Sequence, residues 1–180
     1  MKKEELISAL RKSECLISAT ELKAIYDRLA TELNLYYYGL NPIVLIILNG
    51  GLIPAGQLLP RLNFFARIGY LHATRYEENE GRDLHWKARP SLNIAGEDVL
   101  LIDDIFDEGI TLKNVYEELL KENPCSLKTC TLLNKIHDRK VQDFQIDFVG
   151  TDIEDRYLFG SGMDFYGYFR NLNGIYALKE

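Results

Sequence analysis

The chain is poor in the residues that mark several common protein classes. It has three cysteines (Cys15, Cys125 and Cys130), an odd number with no Cys-x-x-Cys spacing. That excludes a disulfide framework or a zinc knuckle as the organising feature and suits buried or free thiols in a reducing cytosol. His72, His85 and His137 are scattered without metal-ligand spacing, so incidental or hydrogen-bonding roles are expected. No apolar run reaches transmembrane length and no cleavable signal pattern is present, so a cytoplasmic protein with no membrane partner is expected. Positive charge is also in deficit: 21 Lys and Arg against 27 Asp and Glu leave a net charge of −6. General electrostatic attraction to nucleic acid is therefore not expected. An anionic ligand would have to be held by local features: turn amides, a divalent cation and a few placed basic groups. Repeats, low-complexity tracts and linkers are absent.

What is present suits one domain with a full core: 180 residues, 47% hydrophobic and 27% charged. The pattern over 18–35 predicts a helix, with Thr20 as its cap and Leu22, Ile25, Tyr26, Leu29 and Leu33 as its apolar face. Gly39 and Pro42 follow the Tyr36-Tyr37-Tyr38 run and end it. Residues 43–48 form a continuous apolar, β-branched run, as expected of a strand buried on both faces. Asn49-Gly50-Gly51 is a turn, 52–62 a helix and 64–71 a second strand. The polar stretch 74–83 breaks the pattern, and 74–91 is too long for an ordinary connection, so a functional lid is expected there. Residues 99–103 are a strand, 111–121 a helix, and 127–133 and 146–149 further strands. The alternation predicts an α/β fold with a mostly parallel central sheet flanked by helices. Ligands of such sheets bind at the C-terminal strand ends. Those ends carry Asn49-Gly50, Arg75-Tyr76, Asp103-Asp104, Lys135 and Asp152.

The richest stretch is 99–112, Val-Leu-Leu-Ile-Asp-Asp-Ile-Phe-Asp-Glu-Gly-Ile-Thr-Leu. An apolar strand leads into an acid pair, Asp103 and Asp104; Asp107, Gly109 and Thr111 follow, and a helix opens. A strand-turn-helix passage offers outward amides and a helix N-terminus to an anion. Acids beside it would repel a bare phosphate, but they suit a ligand that also presents sugar hydroxyls or a metal. The chemistry called for is a phosphorylated sugar.

This stretch resembles the phosphoribosyl pyrophosphate signature of the purine phosphoribosyltransferases, and the likeness covers roughly 43–179. It implies a type I phosphoribosyltransferase fold in a single domain, 1–180, with a core of about 15–150 and a small hood from about 1–14 and 151–180, built largely from the C-terminal segment. It further implies purine salvage: Mg²⁺-dependent transfer of 5-phosphoribosyl from phosphoribosyl pyrophosphate to N9 of hypoxanthine or guanine, giving IMP or GMP and pyrophosphate.

Site roles follow from the matched positions. Asp103 and Asp104 would meet the ribose hydroxyls, directly or through Mg²⁺. Asp107 through Thr111, with Glu108, Gly109 and Ile110 between, would wrap the 5′-phosphate. Asp107 would also be the general base near the purine N7; its local alternative is a cap for the following helix. Leu48-Asn49-Gly50-Gly51 resembles the pyrophosphate loop, with Leu48–Asn49 the expected cis peptide. Asn49 stands where many relatives carry Lys or Arg, so contact through the backbone is expected there. Arg75-Tyr76 resembles the start of the lid, and Arg75, where the family often has Ser, could reach pyrophosphate, as could Arg170. Lys135 would donate to the purine 6-oxo group, which disfavours adenine. Tyr157 would stack on the base, the backbone of Leu158 would meet its edge, and Asp164 would serve the second Mg²⁺ or the surroundings of the purine 2-position. Relatives of this kind are commonly homodimers or homotetramers. Two alternatives are a non-catalytic nucleotide- or RNA-binding regulator of the same fold and a xanthine-preferring sibling. A phosphoacceptor signalling domain also uses an acid pair, but there the pair ends the first strand.

Overall fold

The computed structural model describes residues 1–75 and 84–179. In chain order the elements are α1 (Lys3–Arg11), β1 (Ser13–Ser18), α2 (Ala19–Tyr36), β2 (Ile43–Ile47), α3 (Leu52–Leu58, extended by a 3-10 turn at Leu59–Arg61), β3 (Arg67–Arg75), β4 (Leu84–Ala88), β5 (Asp98–Phe106), α4 (Ile110–Leu120), β6 (Ser126–Ile136), β7 (Phe148–Glu154), β8 (Leu158–Phe159) and β9 (Gly174–Leu178). A six-stranded sheet runs β4-β3-β2-β5-β6-β7, parallel except for the antiparallel β3–β4 pair. A smaller antiparallel sheet, β1-β9-β8, joins the two ends of the chain.

The main sheet is covered on both faces, as a parallel sheet must be. On β2, Val44 and Ile46 pack against α2 and α3, through Leu22, Tyr26, Leu29, Leu33, Ala55 and Leu58. Ile43, Leu45 and Ile47 point the other way, against Leu112, Val115 and Leu119 of α4. All five β2 residues are buried. This two-sided burial is why the run reads as unbroken apolar sequence rather than as an alternation.

Several boundaries differ from the sequence expectation, each for a local reason. Ser18, not Thr20, caps α2. Its Oγ accepts from the Glu21 amide at 3.4 Å, while the Glu21 carboxylate accepts from the Ser18 amide at 2.8 Å, a reciprocal capping box. The second strand begins at Arg67, not Phe64; Phe64 and Ala66 are apolar because they pack on the core from the preceding loop. Within the stretch expected to be lid, β4 pairs with the end of β3 through His72–Ala88 to Arg75–Leu84. β6 continues to Ile136, so Lys135 lies inside a strand rather than after one. β7 spans Phe148–Glu154, not 146–149.

The acid pair also lies inside its strand, because β5 has neighbours of unequal length. Pairing with β2 stops at Ile46–Ile102, whereas pairing with β6 continues through Asp103–Thr131 to Phe106–Asn134. Asp103 and Asp104 therefore sit on the lip where β5 projects past β2. No helix among the described residues is long and apolar enough to cross a membrane.

Candidate active site

The turn after β2 fills the notch beside that lip. Its Leu48–Asn49 peptide is cis, as the sequence suggested. Gly50 and Gly51 are needed for close approach. A Cβ on Gly50 would fall on the Asp104 carboxylate, and one on Gly51 would stand 2.6 Å from the Ile102 carbonyl oxygen. Asn49 is exposed, while Gly50 and Gly51 are buried.

Asp103 is half-buried and Asp104 buried. Burial pushes both carboxyls above the usual carboxylate range; for Asp103, which goes well above it, the adjacent Asp104 charge adds to the effect. Their single ion-pair contact among the described residues is Arg170, whose Nη1 lies 3.8 Å from Asp104 Oδ2. Arg170 also donates to the Gly162 carbonyl at 2.6 Å and pairs with Asp164, whose other oxygen accepts from the Gly167 amide at 2.7 Å. The segment carrying Asp164 and Arg170 is thereby tied to the acid pair. Gly162, at φ 115°, makes the close approach possible, since a Cβ there would meet the Gly50 carbonyl at 2.5 Å. Tyr26 of α2 anchors the same segment through a 3.1 Å hydrogen bond between its hydroxyl and that of Ser161.

Beyond Phe106 the chain turns at Gly109, φ 81°, directly under the Phe106 ring, and enters α4. Gly109 is the capping residue, so Ile110 and Thr111 lie in the first turn, where amides lack intrahelical partners. Asp107 does not cap this helix. Its Oδ2 accepts from Lys135 Nζ at 2.8 Å, and its Oδ1 lies 2.7 Å from His137 Nε2. Burial works to raise the Asp107 carboxyl, but the hydrogen bonds from Lys135 and His137 outweigh it and hold the group below its ordinary value. Lys135 Nζ also lies 3.5 Å from Asp155 Oδ1, and Asp155 is itself held low, chiefly by the Arg139 guanidinium at 2.7 Å.

A cavity of about 240 Å³ opens beside this cluster, lined by Asp104, Ile105, Asp107, Lys135, Tyr157, Leu158, Met163 and Asp164. Six residues singled out in the sequence thus share one space, and Ile105 and Met163 are additions. Tyr157 is 54% exposed, in T-shaped contact with Phe165 at 5.7 Å between centroids and tilted against Tyr166 at 6.4 Å. Asp103, Gly50 and the Gly109–Thr111 turn adjoin the cavity in sequence or contact without lining it. The backbone of Arg75 ends β3; Tyr76 lies outside the described residues.

His137 and Asp155 were missed. His137 lies just past β6, where strand alternation no longer fixes the direction of a side chain, so no local pattern marked it. Among the described residues, the acids and histidine whose ligand atoms lie within 4.8 Å of one another are Asp107, His137 and Asp155. Asp104 and Asp164 are linked through Arg170, and Asp103 adjoins Asp104 in sequence.

Comparison with known proteins agrees with this geometry. Residues 18–166 match the phosphoribosyl transferase domain. The chain is 34% identical over 173 residues to the hypoxanthine-guanine phosphoribosyltransferase of Aquifex aeolicus, covering 94% of this chain and 97% of that one. It is 35% identical over 166 residues to the hypoxanthine-guanine-xanthine phosphoribosyltransferase of Tritrichomonas foetus, covering 92% and 91%. The crystal structure of a hypoxanthine-guanine phosphoribosyltransferase from Bacillus anthracis superposes with a TM-score of 0.86 at 28% identity, covering 93% of this chain and 97% of that one. With the signature turn, the shared cavity and these likenesses in agreement, the chain belongs to the phosphoribosyltransferase family.

Proposed function

We propose that the protein salvages purines by transferring 5-phosphoribosyl from phosphoribosyl pyrophosphate to N9 of a 6-oxopurine, hypoxanthine or guanine, giving IMP or GMP. The observation that carries the reading is the Asp107–Lys135 pair, 2.8 Å apart, on the wall of a cavity shared with Tyr157 and Asp104. A carboxylate and an ammonium placed side by side can accept a proton from a purine ring nitrogen and donate to its oxo group.

In the proposed reaction the C1′–O bond to pyrophosphate breaks and the N9–C1′ bond forms. The purine N7 proton passes to Asp107. Lys135 donates to the 6-oxo oxygen, Tyr157 stacks on the base, and the Leu158 backbone and Asp164 meet its far edge. The acid pair accepts from the ribose hydroxyls. Amides of the Asp107–Thr111 turn and the N-terminus of α4 hold the 5′-phosphate. The backbone of Asn49 and Gly50, with Arg170, receives pyrophosphate. Arg75 and Tyr76 begin a lid that keeps water from a cationic sugar. Asp103, Asp104 and Asp164 would hold Mg²⁺, which supplies charge neutralisation for the leaving pyrophosphate. The small β1-β9-β8 sheet and its flanking segment serve as the hood. A cytoplasmic homodimer or homotetramer completes the reading.

The test is nucleotide formation from phosphoribosyl pyrophosphate and Mg²⁺ with hypoxanthine, guanine, xanthine and adenine in parallel, followed by absorbance. Turnover of hypoxanthine and guanine but not adenine is expected. Xanthine belongs in the panel because the Tritrichomonas relative is named for it. No product with any base, together with tight binding of RNA, would instead favour the regulator.

A further inference from the structure

His137 has a buried side chain, 5% exposed, just past the end of β6, and the reaction outlined above gives it no part. Its ring makes two contacts. The Arg139 backbone N–H donates to Nδ1 at 3.2 Å, and Nε2 lies 2.7 Å from Asp107 Oδ1. A nitrogen that accepts an amide hydrogen carries no proton of its own, so the ring proton is on Nε2 and is donated to Asp107. The two donors to Asp107 are therefore different in kind. Lys135 is a cation that lines the cavity and also reaches toward Asp155; His137 is neutral and does not line the cavity.

We propose that His137 is the positioning residue for Asp107, fixing one carboxylate oxygen from behind so that the other is presented to the purine. This rests on the phosphoribosyl-transfer reading above. When a base enters, Lys135 turns from Oδ2 to the 6-oxo oxygen, and Oδ2 becomes free for the N7 proton. Without a second anchor the carboxylate would then rotate about its Cβ–Cγ bond. His137 prevents that rotation by holding Oδ1 and leaves Oδ2 to the base. The ligand atoms of Asp107, His137 and Asp155 lie within 4.8 Å of one another, a spacing a metal ion could use. The Lys135 ammonium already sits between the two carboxylates, and Nδ1 is occupied by the Arg139 amide, so proton handling is the role assigned here.

The experiment compares His137→Leu, which fills the space without a donor, with His137→Gln, whose amide nitrogen can replace Nε2–H. Steady-state constants are measured for both substrates, and folding is checked by thermal unfolding. His137→Leu should lower kcat by about 10- to 100-fold, the scale of a misplaced reacting group, with KM for phosphoribosyl pyrophosphate unchanged. His137→Gln should restore most of the loss. Normal kcat in His137→Leu, or equal loss in both folded variants, would overturn the proposal. Imidazole ¹⁵N NMR of the unsubstituted protein reads the tautomer independently of turnover. A proton on Nε2 is expected; the Nδ1–H form or an imidazolium would overturn the proposal. An inactive unsubstituted protein would overturn the transfer reading itself, whereas an active one with an unaffected His137→Leu variant overturns only the role of His137.

Discussion

Asp104 and Asp107 line the same cavity, yet their surroundings push them in opposite directions. Asp104, with Asp103 beside it, is held above the ordinary carboxylate range by burial, and Arg170 at 3.8 Å offsets this only in part. Asp107 is partly exposed, accepts from Lys135 and His137, and is held below that range. One region is charged and already compensated; the other concentrates negative charge that a ligand has yet to compensate. Environments that separate like groups in this way assign them different tasks. The compensated carboxylate is ionised and oriented, as a proton acceptor must be. The uncompensated pair favours whatever brings positive charge or hydroxyl donors. Substitutions that equalise the two regions should therefore cost function.

The largest effect is expected at Asp107. Asp107→Ala removes the proposed base and leaves Lys135 with only Asp155 as a carboxylate partner among the described residues. Nucleotide formation should fall by about 10²- to 10⁴-fold, the usual contribution of a positioned base, while the thermal unfolding midpoint stays close to that of the unsubstituted protein. Near-normal turnover in steady-state assays would dissolve the contrast between the two regions.

Lys135→Met sharpens the comparison from the other side. The side chain is 10% exposed, so Met can fill its space, and Asp107 keeps only His137 as a donor. Removing the cation should let the Asp107 carboxyl rise toward the range of its neighbours. The expected outcome is a KM for guanine raised by roughly 10-fold or more, the scale of a lost hydrogen bond to a charged donor. Discrimination against adenine should fall as well. Unchanged guanine affinity in a binding titration would remove Lys135 from the base site.

Some of this was legible in the sequence and some was not. The acid pair and Asp107 stood out through their spacing from Gly109 and Thr111, and Lys135 through its spacing from that signature, since alone it reads as a surface lysine at a strand end. The unbroken apolar run of β2 gave away a doubly covered strand. The extent of β5 and β6 was hidden, because a strand with one long and one short neighbour has two different ends. β4 carried a visible signal: Leu84, Trp86 and Ala88 alternate with the more exposed His85 and Lys87. Its short length and polar surroundings outweighed that signal. The β1–β9 pairing joins opposite ends of the chain with an irregular register at Cys15–Ile17, and no local pattern could reveal it. The Asp107–His137 contact depends on how the turn after β6 folds back, which residue types alone do not specify.

The smallest expected effect is the most direct test of the uncompensated region. Asp103→Asn keeps the shape of the side chain and removes one of two neighbouring charges. A carboxyl raised in the folded state costs stability wherever it must be ionised. Its contribution is favourable below the unfolded-state pKa and fades as pH rises through the higher folded-state value. Above that value the folded protein carries the full penalty, so the neutral amide should be the more stable form at pH 7. An increase of about 1 kcal/mol, roughly 2–4 °C in Tm for a chain of this size, is the expected scale. The gain should shrink as pH falls and Asp103 itself becomes protonated, so unfolding midpoints measured from pH 8 down to pH 4 should converge. Phosphoribosyl transfer should meanwhile decline, because the charge that destabilises the empty fold is the one proposed to receive Mg²⁺ and the ribose hydroxyls. A variant that is less stable at pH 7, or whose difference from the unsubstituted protein grows on acidification, would show that the pair is compensated by a contact other than Arg170, and the division between the two regions would no longer stand.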